Sequence, residues 1–578
     1  MGSNLFFAST GAVLELAGAD IDEALIAGWR ARVERAGAHL GWANRQAIAR
    51  RHAGGASLAL TAPFDQLFLA TEVNEWALCA ALVERDPQRW RGLQDLLVAQ
   101  ALEAADGGAT PAADTQPVIE ESAAFGRFER LASLESRPKL RALLDAAAAR
   151  GLPHVLDESL LTLGAGAGGR SFLLAALPDV GEVGWETLRD IPTAIVTGSN
   201  GKTTTVRLLA ACARAHGWHA GYNCTDGVFL DDEGLATGDY SGPAGARMVL
   251  RETRTEAAIL ETARGGILRR GIAVSRAATA VVTNVSSDHF GEYGIDDLAG
   301  LAEVKLAVAA AVSPSGLLVL NAEDPQLRTQ VDGLVRRFGR SPPLGWFAAS
   351  YKPHGASTCG ARGGRLHLTH GGAEHDLGPI SAMPLSMGGV AVYNVANMAG
   401  AALAAAALGI APATIAAVLA RFGADIRDNP GRMMRFDVGG VKVLIDYAHN
   451  PDGLRGFLKV AEHLRSGSGR LGLLLGQAGN RKDADIQELA QVAAEFRPDL
   501  VVVKEDELHL RGRALAEIPR IIRTELKRLG FADSALPVVA SELQAARYAL
   551  DWARPGDVLA LPVHSPIARA AVVAMLSG

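Results

Sequence analysis

The sequence predicts an α/β protein in three parts. These are an N-terminal α/β region over residues 1–190, a central doubly wound domain built on a phosphate loop over 191–428, and a C-terminal Rossmann-like domain over 429–578. Three observations carry that prediction. From Thr193 onward, short β-branched runs alternate with helical patterns of about 10–15 residues, the mark of a mainly parallel sheet. A glycine-bearing loop, Gly198 to Thr204, lies between the strand-like TAIV and the helix-like TTVRLLAACARAHG. A second strand-and-helix series, with VKVLIDYAH, RLGLLLGQ, DLVVVKED and DVLALPVH as its strands, begins near Gly431.

Composition narrows the function classes. Hydrophobic residues make up 49% and charged residues 21% of the 578, which excludes disordered and fibrous chains. A net charge of −6 gives no global electrostatic reason to bind nucleic acid or an anionic membrane surface. Cys79, Cys212, Cys224 and Cys359 are far apart and form no CxxC pair, so neither a disulfide framework nor a zinc ribbon is expected, and a reducing compartment fits. The N-terminus lacks the basic start of a signal peptide. The most apolar stretch, 398–420, is alanine-rich and broken by Pro412, short of the ~20 strongly apolar residues a span needs. It reads as two buried helices. A cytoplasmic protein with no nucleic-acid or membrane partner is expected.

The elements follow in order. Residues 1–103 mix helical and strand-like patterns, and a polar small-residue linker is expected over 104–117. Arg137 to Gly151 reads as an amphipathic helix with a glycine stop, and 156–177 as short strands around a glycine turn. The central series then runs TAIVTG, EAAILET, ATAVVTNV and GLLVLN as strands. Between and after them come the helices TTVRLLAACARAHG, GGILRRGIAV, DDLAGLAEVKLAVAAAV and PQLRTQVDGLVRRFG. RLHLTH, within the glycine-rich 341–378, suggests an antiparallel excursion. His367, His370 and His375 there have no metal-site companions and read as solvated.

The strongest chemical signal is Thr197-Gly198-Ser199-Asn200-Gly201-Lys202-Thr203-Thr204. Glycines let backbone N–H groups curl around a phosphate chain at a helix N-terminus. Lys202 supplies a point charge for the outer phosphates, and the Thr203 hydroxyl suits Mg²⁺. The general phosphate-loop pattern asks for glycine where this chain has Val196.

The form TGSNGKTT resembles the phosphate loop of the Mur ligase superfamily, ATP-dependent amide ligases. Further matches follow in order. They are Glu261 in LETARGGILRRG, TNVSSDHFGEYG around His289, Lys305, VLNAEDP at Val319–Pro325, Asn394 with Asn397, Arg432, and IDYAHNPDG at Ile445–Gly453. CTDGVFLDDEGLATGDYSGPAGARMVLRE, LETARGGILRRG and VVKEDELHLRGR most resemble the Mur-like half of cyanophycin synthetases. The resemblance covers about 191–578. Residues 1–175 are more weakly similar to the N-terminal domain of those enzymes plus a truncated ATP-grasp remnant, since the span left before the Mur-like region is too short for an ATP-grasp core.

The resemblance implies a set of roles. A carboxylate must attack the γ-phosphate, so cations must offset the meeting of like charges. Glu261, at the carboxyl end of AAIL, would share Mg²⁺ with Thr203, and His289 would reach a second metal. Lys305, sixteen residues on, looks like the lysine that many Mur ligases convert to a carbamate. Asn394 and Asn397 offer amides to adenine, Asp446 accepts from ribose, and Arg432 meets the γ-phosphate. Thr225, Asp226 and Arg264 would face the acidic substrate, His449 and Asn450 close over the site, and Lys504 and Arg513 meet the amine. Caps, salt bridges and surface charge are the alternatives for each.

Together these imply an ATP- and Mg²⁺-dependent carboxylate–amine ligase acting on amino-acid or peptide substrates. It would be a homo-oligomer, with a cyanophycin-type synthetase as a possible partner. Two alternatives stay open: a nucleotide-binding, non-catalytic subunit of a full-length synthetase, and a Mur or folylpolyglutamate-type ligase with other substrates. Retention of Lys202, Thr203, Glu261, His289 and Lys305 speaks against the first.

Overall fold

A computed structural model describes residues 3–18, 21–90, 92–93, 120–287, 290–479, 481–505 and 510–577. The expected linker at 104–117 and His289 lie outside the described residues. No helix among those described is long and apolar enough to cross a membrane.

The central sheet has eleven strands, with Thr193–Thr197 near its middle. Seven run parallel, in the spatial order Ala220–Cys224, Ala257–Glu261, Thr193–Thr197, Ala277–Val282, Val312–Asn321, Leu344–Phe347, Thr358–Arg362. The chain leaves Thr193–Thr197 toward one edge and later returns on its other side at Ala277–Val282. That reversal opens a crevice at the strands' carboxyl ends, the usual ligand position in doubly wound sheets. Antiparallel strands finish both edges. RLHLTH forms Arg365–His370, antiparallel to Thr358–Arg362 on one side and to Ala373–Pro379 on the other, as the sequence suggests.

The helix Lys202–His216 buries its apolar face together with Val392–Ala407 and Pro412–Leu419, the alanine-rich pair, on one side of the sheet. Alanine's small side chain lets these helices approach closely, and Leu403 and Phe347 fill the space that remains. On the other side Leu298–Leu306 is followed by a 3₁₀ turn, Ala307–Ala311, so the one helix expected there changes pitch. PQLRTQVDGLVRRFG likewise breaks into Pro325–Gln330 and Leu334–Phe338, at Asp332-Gly333, two poor helix formers.

The second large sheet has six strands, in the order Met434–Val438, Val441–Asp446, Val558–Pro562, Leu471–Leu475, Leu500–Lys504, Val538–Val539. The first pairs antiparallel and the others parallel. In the N-terminal third, Gly11–Ala17, Gly55–Thr61 and Ala47–His52 make a three-stranded antiparallel sheet. It packs on the helices Glu23–His39 and Leu67–Arg85 around fully buried Trp29. Pro138–Ala149 and the strands His154–Leu156, Leu160–Leu163 and Arg170–Leu173 form a smaller cluster that leads into the central sheet. His367, read as solvated, is half-buried beside Glu374, 3.3 Å away.

Candidate functional site

The loop after Thr193–Thr197 is shaped by two glycines that cannot be replaced without collision. Gly198 has φ +148° and a Cβ there would lie 1.8 Å from the Thr283 hydroxyl; Gly201 has φ +83° and its Cβ would lie 2.1 Å from Asn397 Oδ1. Both conformations favour glycine, and both approaches bring polar groups onto the loop. Lys202 begins the following helix and donates to the carbonyls of Gly198 and Ser199, each at 3.0 Å. Its ammonium is thereby folded over the loop.

The segment after Ala277–Val282 braces that loop from the side. Asn284 accepts from the Asn200 amide at 2.9 Å and donates to its carbonyl at 3.1 Å. The Thr283 hydroxyl donates to the same carbonyl at 2.6 Å. Ser286 N–H donates to Ser199 Oγ at 3.0 Å. Thr283, Asn284 and Ser286 went unassigned from sequence. The signal was the TNVSS run directly after a central strand.

Glu261 is fully buried at the end of Ala257–Glu261. It accepts from Thr203 Oγ1 at 2.9 Å and from Thr225 Oγ1 at 3.2 Å. Burial pushes its carboxyl up, while Lys202, the Thr203 bond and Arg432 pull the other way. A buried carboxylate facing hydroxyls beside a phosphate loop has the donor chemistry of a Mg²⁺–nucleotide site, so the residues fit that group. Among the described residues no group of three acidic, histidine or cysteine side chains could hold a metal ion by itself.

The second domain supplies the other wall. Asp446 accepts from the amides of Met433 at 2.7 Å and Ala448 at 2.9 Å, and burial raises its carboxyl against Arg432 and these bonds. Arg432 stacks over Tyr447, 4.3 Å from the ring centre. Asn450 caps the helix Pro451–Leu464 and donates to Asn200 Oδ1 at 2.8 Å, joining the two domains at the phosphate loop. Asn394 donates to the Leu385 carbonyl, and Asn397 to Asn394. Lys202, Thr203, Glu261, Asn394, Asn397, Arg432 and Asp446 line one cleft of about 380 Å³ that also holds Thr204, His449 and Glu323. Tyr393 Oη, lining it, is buried without a partner among the described residues; such a group calls for a ligand.

Other expected site residues stand elsewhere. Lys305 is 2% exposed rather than a surface cation, on Leu298–Leu306; burial pushes nearby Asp324 up, against the backbone N–H groups of Val285, Leu327 and Gln326 and, last, the charge of Lys305. Arg264 pairs with Glu292. Asp226 does not face the cleft. It lies between Arg207 and Arg569, 2.8 and 2.7 Å away, and Arg207 also donates to the Pro430 carbonyl between the domains. Burial opposes ionisation of Asp226, yet Arg432, Arg207 and Arg569 hold it below its ordinary range. Arg513 binds the carbonyls of Gly479 and Arg481 and the carboxylates of Asp483 and Glu517, so it braces a loop.

Lys504 is corrected most sharply. It is 1% exposed, with its ammonium on Glu542 and the Pro562 carbonyl. Burial pushes Glu542 up, but Lys504, His564 and backbone amides outweigh it and hold the carboxyl at about 2. Burial, then Lys504, depresses neighbouring His564 to about 3. Replacing one partner strands the other, so Lys504→Met is expected to cost ~3–5 kcal/mol by urea denaturation; an unchanged midpoint refutes the pairing. Both groups bind protons more readily when unfolded. Stability is therefore lost as pH falls, first below the ordinary histidine value of 6.5 and further below the ordinary glutamate value of 4.5.

Known proteins resemble the chain over these two domains. Residues 196–405 match the Mur ligase middle domain and residues 431–561 the Mur ligase glutamate ligase domain. Cyanophycin synthetase of Synechocystis sp. is 36% identical over 364 residues, 62% of this chain and 41% of that protein. This chain thus spans about two fifths of that relative's length. UDP-N-acetylmuramoyl-L-alanyl-D-glutamate–2,6-diaminopimelate ligase of Alkalilimnicola ehrlichii is 32% identical, over 63% of this chain and 69% of that enzyme. The structure of E. coli FolC superposes with a TM-score of 0.51 at 18% identity, over 67% of this chain and 88% of FolC, which shows a shared fold. With both domain matches and a relative covered over two thirds of its length, the chain belongs to the Mur ligase family.

Proposed function

We propose that this protein is an ATP-dependent carboxylate–amine ligase that joins an amino acid to an acidic amino-acid or peptide carboxylate, in the manner of the Mur-like half of cyanophycin synthetases. One observation carries the reading: a phosphate loop whose Thr203 bonds a fully buried Glu261 is closed by Asn450 of the second domain at Asn200. ATP supplies the γ-phosphoryl group that turns the acid into an acyl phosphate. Thr203 and Glu261 would hold its Mg²⁺; Lys305, as a carbamate, and His289 would hold a second ion.

The chain's own residues do the rest. Lys202 and Arg432 offset the charge of carboxylate meeting phosphate. Asn394, Asn397, Tyr393 and Asp446 orient the nucleoside. Contact between the domains excludes water from the acyl phosphate, which the amine then attacks to release phosphate. Beside His449 and Asn450 a narrow groove holds Arg481, Asp485 and Glu488. Burial, then Asp452 and Asp485, push Glu488 up. The likeness to cyanophycin synthetases favours a basic amino acid such as arginine as the amine.

The test is to incubate the full chain with ATP, candidate acids and amines, following phosphate release and product mass. Amide product with stoichiometric phosphate supports the reading; no product from any acid–amine pair, with ATP bound, defeats it. The same assay counts bonds. With one phosphate loop, one ATP should be used per bond, and free amino acids alone should give no long polymer. The acyl substrate would then arrive ready-made, as a free acid, a peptide or a chain from a partner synthetase. Long polymer at two ATP per repeat would instead reveal a second activating site in residues 1–190.

A further inference from the structure

The N-terminal sheet touches the segment that leads to Lys305. Residues 291–295 close on themselves, with Gly291 N–H donating to the Ile295 carbonyl at 2.9 Å and Ile295 N–H to the Glu292 carbonyl at 3.2 Å. The central domain holds this turn through Arg264 on Glu292 and Arg269 on Tyr293. Arg50, on Ala47–His52, grips it from the other side. Its Nη1 donates to the Gly294 carbonyl at 2.6 Å, and its Nε lies 3.9 Å from Glu303. Nη2 lies over the helix start, where a Cβ on Gly300 would be 2.6 Å away. The next residues add to the grip. Gly294, at φ +62°, sits so close under His52 that a Cβ would be 2.2 Å from the imidazole, and Ala53 N–H donates to Asp296 at 3.3 Å.

One guanidinium thus spans the turn and the helix Leu298–Leu306, on which Lys305 is buried two residues beyond Glu303. We propose that Arg50 is a positioning residue for ligation, holding the 291–297 turn and the Lys305 helix in one register. The inference rests on the ligase reading and gives the N-terminal domain a part in the chemistry. Arg50 lines no part of the nucleotide cleft, so its loss should act on turnover and leave ATP binding alone. Displacing a catalytic group by about 1 Å can lower turnover on the order of 100-fold.

The test compares full-length wild type with Arg50→Ala, Arg50→Lys and Gly294→Ala. Melting temperature, hydrogen exchange of peptides covering 291–306, ATP KM and kcat are measured on each. Arg50→Ala should melt with wild type, exchange faster over 291–306 and keep its ATP KM, with kcat down about 10- to 100-fold. Arg50→Lys should recover part of kcat, because an ammonium can reach one carbonyl but cannot fork to Glu303 as well. Gly294→Ala, which forces the turn off His52 from the opposite side, should show the same split, and it stands in for Arg50→Ala if that variant does not fold. Wild-type kcat and protection in Arg50→Ala, or lost kcat with unchanged exchange, overturns the proposal. If wild type ligates nothing, the ligase reading has failed, and the exchange comparison still decides whether Arg50 holds the turn.

Discussion

Lys202→Ala is expected to lower ligation by on the order of 1,000-fold, about 4 kcal/mol of transition-state stabilisation. Its ammonium is the cation folded over the phosphate loop, bonded to the carbonyls of Gly198 and Ser199, so removing it strips charge from the transferring phosphate and little from the fold. Glu261→Ala should fall as far by a different route. The Thr203 and Thr225 hydroxyls lose their shared acceptor, and the nucleotide's metal loses its carboxylate. Both variants should melt near wild type, since Glu261 is a buried carboxylate whose removal ends a desolvation cost. Near-normal phosphate release with amide product from either variant would show that the phosphate loop is not the catalytic centre.

Lys305→Ala should be nearly inactive, and acetate should restore part of the activity. Lys305 is 2% exposed on the helix Leu298–Leu306, and conversion to a carbamate would turn its side chain from a cation into a metal-binding anion. Acetate carries the same carboxylate and is small enough to occupy the space that alanine leaves. Full activity in Lys305→Ala would make the residue a structural cation. Inactivity with no response to acetate at any concentration would keep its importance and remove the carbamate.

Local patterns exposed the parts of this molecule whose cause is local. The phosphate loop was legible because glycine, lysine and threonine follow a strand and open a helix within eight residues, and Glu261 because a lone acid ends an apolar run. Asn394 and Asn397 were legible as amides one helical turn apart, and Asn397 does lie against Gly201. What stayed hidden depends on distant pairing. Asn284 meets Asn200 across 84 residues, Asn450 meets it across 250, and Arg569 meets Asp226 across 343. Asp226 therefore read as a contact to the acidic substrate, and Lys504, ending the strand Leu500–Lys504, as a contact to the amine. Its carboxylate partner, Glu542, comes from a helix that nothing near Lys504 announces.

The grip of Arg569 on Asp226 has a consequence for biosynthesis. Domains emerge from the ribosome in order and fold as they appear, so the phosphate loop is complete while most of the second domain is still unmade. Asp226 and Arg207 pair within the central domain, whereas the second guanidinium on that carboxylate, Arg569, arrives only with the helix Pro566–Ser577 at the end of the second domain. A nascent chain can thus present a finished nucleotide loop without a finished reaction chamber. Under the proposed ligase activity, that order would keep incomplete molecules from spending ATP on acyl phosphates they could not shield from water.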